Sequence, residues 1–156
     1  MNMIASEAIS PNYDFPGSLT APVQGVVVIV SDDRATVAKL APVLEFLDLR
    51  IEVVSAGMNL LDVMRDIRPM AVISEVEGEE QDGFHTMTLV ARYSRDLPVL
   101  LLTGGDAVLM GAADAMQDLC GLTSVTRTSE FAIAGQLVAF LFSAGRRAGC
   151  MRLVPV

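Results

Sequence analysis

Residues 71–75, Ala-Val-Ile-Ser-Glu, form an apolar run that ends in a single carboxylate, and Asp82-Gly83-Phe84 follow a short distance along the chain. Such a run is typical of a buried strand in a parallel sheet, and the residues after it predict a loop and the start of a helix. Ligands of open α/β sheets bind at the carboxyl ends of the strands, so the acid that ends this strand decides much of the chemistry. That acid is Glu75.

The same alternation occurs along the chain from Gly25 onward. Short apolar runs at 26–30, 51–55, 70–75, 99–102 and 122–125 predict five strands, and helical patterns follow them at 34–47, 59–68, 83–93, 107–119 and 130–147. Repeated βα units predict a doubly wound parallel sheet with helices on both faces. A chain of 156 residues has room for one such domain, which we place at 25–147, with a flexible leader at 1–24 and a tail at 148–156.

Composition and charge narrow the class of protein. The chain is 52% hydrophobic but only 5% aromatic, which suits an aliphatic core between a sheet and its helices. A net charge of −8 argues against nucleic-acid binding, which depends on neutralising phosphates. The leader does not have the pattern of a signal peptide, and the most apolar helical segment is too short to span a bilayer. We therefore expect a soluble, cytoplasmic protein that does not bind membranes.

Polar side chains collect where the predicted strands end. They carry carboxylates, hydroxyls or a cation, and they are Ser31, Asp32, Asp33, Glu75, Thr103 and Arg127. Because the carboxyl ends of parallel strands meet at one edge of a sheet, we expect these groups to share a crevice. By contrast, Cys120, Cys150 and the single His85 show no metal-binding or redox spacing.

In this order and spacing, residues 25–147 resemble the CheY-like receiver domain of two-component response regulators. That family has two acids after its first strand, a phosphorylated aspartate at the end of its third, and an Asp-Gly pair in the loop that follows. A Thr or Ser follows its fourth strand, and Lys-Pro follows its fifth. The resemblance implies a sheet in the order 2-1-3-4-5 and a regulatory rather than an enzymatic function.

The match departs from the family at the positions that handle the phosphoryl group. Glu75 stands at the phosphoacceptor position, Ser31 replaces the first acid, and Arg127-Thr128 replace Lys-Pro. Ser124 stands where an aromatic switch residue is common. The resemblance therefore implies a degenerate phosphorylation site at Glu75, Thr103 and Arg127.

The resemblance also implies a weakened Mg²⁺ site, and no other cofactor, at Asp32, Asp33 and Glu77. Loss of an acid at Ser31 lowers the negative field that would hold the cation. The alternative is that Asp32 and Asp33 simply cap the first helix, a role for which aspartate is well suited. The sequence favours neither interpretation.

Each departure weakens phosphoryl transfer. The extra methylene of Glu75 moves its carboxylate about 1.5 Å along the side chain, and in-line transfer tolerates little misplacement. We therefore predict a stand-alone pseudo-receiver that acts by binding proteins, such as a histidine kinase or another signalling protein. The main alternative is a single-domain response regulator that accepts phosphate with Mg²⁺. A third is nucleotide-messenger binding through Arg127, Arg146 and Arg147.

Two further hypotheses concern Glu75 and the last two helices. Arg127 is a suitable partner for Glu75, and such a pair would hold the domain in one signalling conformation. Apolar side chains exceed one face of each of the last two helices, which predicts a homodimer or partner interface. The interface residues we select are Leu109, Met116, Phe131, Leu137, Phe140 and Leu141.

Overall fold

The computed structural model describes residues 24–55, 58–76, 83–103, 107–128 and 134–149. Within these ranges strands and helices alternate in the order β1 (Val26–Val30), α1 (Arg34–Phe46), β2 (Arg50–Val54), α2 (Leu60–Ile67), β3 (Ala71–Glu75), α3 (Gly83–Tyr93), β4 (Val99–Leu102), α4 (Ala107–Cys120), β5 (Val125–Thr128) and α5 (Ala134–Ala148). The predicted leader up to residue 23, Glu77, Asp82, Phe131 and the tail from residue 150 lie outside the described residues. None of the described helices is long and apolar enough to cross a membrane.

The strands form one parallel sheet in the order β2-β1-β3-β4-β5, which confirms the predicted doubly wound topology. The three inner strands are buried almost throughout because helices cover both of their faces. The edge strands β2 and β5 are more exposed, and β5 contains the polar residues Thr126, Arg127 and Thr128. This burial pattern explains why the inner strands have continuous apolar sequences.

Two apolar clusters lie on opposite faces of the sheet because successive side chains of a strand point to opposite sides. On one face, Val28 and Val72 pack with residues of α2, α3 and α4 such as Met64 and Met87. On the other face, inward residues of the sheet pack with α1 and α5, and this second cluster contains Val27, Ile29, Leu40, Leu44, Leu137 and Leu141. Helices α1 and α5 therefore share one core.

Most predicted boundaries agree with the structure to within one residue; the helix predicted from 130 is described from Ala134 onward, and the fifth strand disagrees. It begins at Val125, whereas the sequence placed it at 122–125. Leu122 is buried, but it lies in the turn after α4, where its N–H donates to the carbonyl of Gln117 at 3.2 Å. Gly121 opens this turn with φ +72°, a conformation that glycine adopts without strain. The shift moves Arg127 into the strand.

Candidate functional site

Glu75 ends β3 at the carboxyl edge of the sheet, as predicted. It is in register with Leu102 of β4, and the preceding residue, Ser74, is in register with Val30 of β1. Its side chain is half-buried. The strand therefore delivers one carboxylate into the space above the centre of the sheet.

Thr36 of α1 contacts that carboxylate. Its hydroxyl donates to Oε2 of Glu75 and also lies 3.3 Å from Oδ2 of Asp33. A hydroxyl has one proton, so it donates to one acceptor at a time, and the contact with Glu75 is the shorter. Thr36 is only 6% exposed. One oxygen of the half-buried Glu75 carboxylate is therefore held by a buried hydroxyl.

Sequence reasoning missed Thr36, although a signal was present. Thr36 has the same four-residue spacing as Leu40 and Leu44, so it occupies the inward stripe of α1. A hydroxyl on an apolar stripe, one turn from the helix start, needs a hydrogen-bond partner when it is buried. Two acids of the predicted strand ends, Asp33 and Glu75, lie within reach of this hydroxyl.

Asp33 acts as the N-cap of α1. Its Oδ1 accepts a hydrogen bond from the N–H of Ala35 at 2.9 Å, which satisfies a backbone donor of the first turn. Ser31 is buried and is tied to the same residue, because its hydroxyl accepts from the N–H of Asp33 at 3.0 Å. The capping role that the sequence left open is therefore present for Asp33.

The predicted magnesium site remains a prediction. Asp32 is exposed and Asp33 is occupied as a cap, while Glu77 lies outside the described residues. Among the residues that the structure describes, no group of three or more acids, histidines and cysteines is arranged to hold a metal ion. The two described acids of the predicted set are thus too few to define a site by themselves.

Thr103 lies at the end of β4 as predicted, but its hydroxyl is hydrogen-bonded to the neighbouring strand. It donates to the carbonyl of Thr128 at 2.8 Å, and the N–H of Thr103 reaches the same oxygen at 3.1 Å. Both groups are buried. Thr103 therefore ties the end of β4 to the end of β5.

Arg127 differs from its prediction in both position and contacts. It lies within β5, in register with Leu101, and so falls short of the strand end. Its guanidinium pairs with Asp114 of α4 and donates to the Oε1 of Gln117 at 3.3 Å. The expected pairing with Glu75 is therefore replaced by a bridge from β5 to α4. The cause is the register, since a residue inside the strand faces the helix that covers it.

Gly83, the first residue of α3, lies against the backbone that follows Glu75. A Cβ atom at this position would stand 2.7 Å from the Cα of Val76 and 2.9 Å from the carbonyl oxygen of Glu75. The N–H of Gly83 also donates to the carbonyl of Val76 at 3.3 Å. This close approach gives a physical reason for the glycine of the Asp-Gly pair.

The predicted interface is wrong for three of its residues. Leu137, Phe140 and Leu141 are 2%, 7% and 0% exposed and belong to the core shared with α1. The outer face of α5 instead carries small or polar residues, which are Gly135, Gln136, Ala139, Ser143, Arg146 and Arg147.

The other predicted interface residues have different outcomes. Met116 is partly buried against the core, and Phe131 and the side chain of Leu109 lie outside what is described. Among the side chains of α4 that the structure describes, the large apolar ones that are exposed are Val108 and Leu119, at 78% and 80%. Neither residue is in the predicted interface set.

No family model matches the sequence. Among curated proteins, the response regulator MprA of Mycobacterium sp. strain KMS is 33% identical over 82 residues, which is 53% of this chain and 36% of the relative. MprA of Mycobacterium avium strain 104 is 32% identical over the same length, with the same coverage. The matched region thus spans little more than a third of these relatives.

Solved structures share the fold at low sequence identity. CheY4 of Vibrio cholerae superposes with a TM-score of 0.61 at 18% identity over 78% of this chain and 99% of its own. The receiver domain of a response regulator from Bacteroides fragilis gives 0.63 at 21%, over 78% and 96%. The receiver domain of Nitrogen Regulatory Protein C gives 0.64 at 20%, over 80% and 97%. Topology and sequence relatives agree, and this chain has the CheY-like receiver fold.

Proposed function

We propose that this domain is a pseudo-receiver, a regulatory module of a two-component-type pathway that works by binding proteins and not by orthodox aspartyl phosphorylation. The observation that carries the proposal is the hydrogen bond from Thr36 to Glu75. In-line phosphoryl transfer requires an acceptor oxygen that is open to the donor and correctly placed. At Glu75 the side chain is longer than aspartate, and one carboxylate oxygen is already bound by a buried hydroxyl.

The surrounding groups support the same conclusion. A transferred phosphoryl group needs hydroxyl and cationic partners to stabilise its charge. The hydroxyl of Thr103 donates to a backbone carbonyl, and the guanidinium of Arg127 is engaged by α4. Ser31 adds no charge for a metal ion. We infer that Glu75 serves as a fixed negative charge whose position depends on Thr36.

We propose that partners bind at the outer face of α4, where Val108 and Leu119 are exposed. These two residues lie about three turns apart on one face of α4, and exposed apolar side chains on one face of a helix favour protein contacts. The partner is a histidine kinase, another signalling protein or a second copy of this chain, while the charge of −8 disfavours nucleic acid.

The test is treatment with acetyl phosphate and Mg²⁺, followed by intact mass measurement. We expect no phosphoryl adduct on the wild type. Thr36→Val removes the donor hydroxyl at nearly constant volume, and Glu75→Asp restores the shorter acceptor, so the double variant is the one in which an adduct is expected first. Thr88→Val is the matched control, because Thr88 donates only to the His85 carbonyl of its own helix, at 2.7 Å.

The main alternative, a phosphorylatable receiver, makes the opposite prediction. It requires a Mg²⁺-dependent adduct on the wild type that disappears in Glu75→Gln. That result would overturn the pseudo-receiver proposal. An adduct that persists in Glu75→Gln would arise at another residue and would leave Glu75 unphosphorylated.

The proposed α4 surface is tested by sedimentation at several concentrations. Leu119→Glu places a charge on this surface and should weaken self-association or capture of a kinase, whereas Phe46→Glu changes another highly exposed apolar residue on α1 and serves as control. Equal effects of the two substitutions would contradict the proposal that α4 is the binding surface.

A further inference from the structure

A groove of about 430 Å³ lies at the end of the sheet opposite Glu75. It is formed where β3 and β4 begin and where α5 ends, and we call it the basal groove. Buried apolar residues line it, namely Met70, Leu97, Pro98 and Ala144. Ala148, the last residue of α5, forms part of its wall. Its volume is at the small end of the range of about 300–1,000 Å³ for ligand sites, which suits a short apolar segment.

We propose that residues 150–156 of this chain, Cys-Met-Arg-Leu-Val-Pro-Val, bind in the basal groove. The helix that leads to them ends at the groove itself. Gly149 has φ +74°, and its N–H donates to the carbonyl of Arg146 at 3.2 Å. A left-handed residue at this position ends a helix and turns the chain away from the helix axis. The segment therefore starts beside the wall that it would cover.

Reach and tethering favour this occupant. Leu153 is four residues beyond Gly149, so an extended chain carries it up to about 13 Å from the end of the helix that forms the wall of the groove. A short covalent tether gives a segment an effective concentration of the order of millimolar, so weak apolar contacts suffice for binding. The proposal thus needs only modest affinity.

The chemistry of the segment matches the groove. Met151, Leu153, Val154 and Val156 are apolar, and the segment has one cation, Arg152, and no acid. The rim of the groove carries Asp96 and Arg147. Arg147 is directed to the backbone carbonyl of Asp96, at 3.4 Å, whereas the Asp96 carboxylate accepts from the Thr123 hydroxyl at 3.0 Å. A cation from the segment complements that carboxylate.

The N-terminal segment is the competing occupant, because β1 begins at the same end of the sheet. The N–H of Met70 donates to the carbonyl of Val26 at 2.8 Å. Residues 1–23, however, contain two acids and no lysine or arginine, in a chain of charge −8. Like charges repel, so the electrostatics favour 150–156 over 1–23.

The experiment is paramagnetic broadening in the full chain. A nitroxide is attached at Val156→Cys in a Cys120→Ala, Cys150→Ser background. We expect loss of intensity for the methyl group of Met70 and the amide of Ala144. The methyl group of Met87, in the apolar cluster on the other face, should keep its intensity. Adding Leu153→Asp and Val154→Asp should restore the signals of Met70 and Ala144, without changing any core residue.

Three outcomes would overturn the proposal. The first is that Met70 keeps its intensity, or loses it equally in the aspartate variant. The second is broadening from a nitroxide at Ser18→Cys with none from position 156, which would assign the groove to the N-terminal segment. The third is that broadening appears only between copies in a mixture of nitroxide-labelled and isotope-labelled protein, which would assign the groove to a second molecule.

Discussion

The two sides of the sheet differ in how their polar residues are hydrogen-bonded and in how far their apolar residues are exposed. On the α1 side, Thr36 donates to Glu75, Asp33 caps the helix, and α5 is packed into the same core. On the α4 side, Arg127 is bridged to Asp114, and Leu119 is exposed to solvent. Glu75 and Arg127, which were expected to share one crevice, thus belong to two separate hydrogen-bonded sets, while Thr103 is bonded to Thr128. On the α1 side, the acid Glu75 is hydrogen-bonded to a buried side chain. On the α4 side, an apolar side chain is exposed and available for contacts with other proteins.

The largest expected difference between the two sides concerns packing. Leu141→Ala removes a fully buried side chain of the core shared by α1 and α5, so the free energy of unfolding should fall by about 2–5 kcal/mol. Leu119→Ala, on the exposed face of α4, should change it by less than about 0.5 kcal/mol. Urea unfolding measures both. Similar losses would mean that Leu119 is covered in solution and packs as a core residue does.

The next prediction tests the hydrogen bond between Thr36 and Glu75. Thr36→Val removes the hydrogen bond to a half-buried carboxylate, so stability should fall by about 1.5–3 kcal/mol. Thr36→Ser keeps a hydroxyl at the same place and should recover most of the loss. In Thr88→Val the hydroxyl that is lost bonds only within its helix, so a change below about 1 kcal/mol is expected. An equal loss in the two valine variants would remove any special role for Thr36.

A comparison of two glycines tests how tightly the backbone packs behind Glu75. Gly83→Ala places a Cβ against the backbone of Val76, where it cannot be relieved by a side-chain rotation, and should cost about 1–3 kcal/mol. Gly111→Ala, on α4, meets no atom within 4 Å and should gain about 0.5–1 kcal/mol from helix propensity. Thermal unfolding should therefore shift in opposite directions. A shift in the same direction would show that the backbone near Gly83 relaxes.

Sequence patterns were sufficient to locate the strands that are buried on both faces. The apolar runs of β1, β3 and β4 locate these strands because both faces are covered, and their order brings Glu75 to the predicted edge. Asp33 likewise follows a simple local rule for helix caps.

The sequence was insufficient to place β5 and the contacts of Arg127, because both depend on the register of the strand. Leu122 carries the apolar signal of a strand but packs in a turn, and the polar edge strand that follows has no such signal. A shift of three residues changes which element faces Arg127. The apolar excess of α5 was correctly detected, but periodicity cannot distinguish a helix buried in its own core from one buried by a partner.

The smallest expected effect is the sharpest test of the division between the two sides. In a double-mutant cycle of Glu75→Gln with Arg127→Gln, the two losses of stability should add to within about 0.5 kcal/mol, because Arg127 is bound by Asp114 and Gln117. The cycle of Glu75→Gln with Thr36→Val shares one of these variants and should be non-additive by at least about 0.5 kcal/mol, since those residues are in contact. Coupling of Glu75 to Arg127 that equals its coupling to Thr36 would join the two sets of groups into one site. It would also restore the pair of Glu75 and Arg127 that the sequence first suggested.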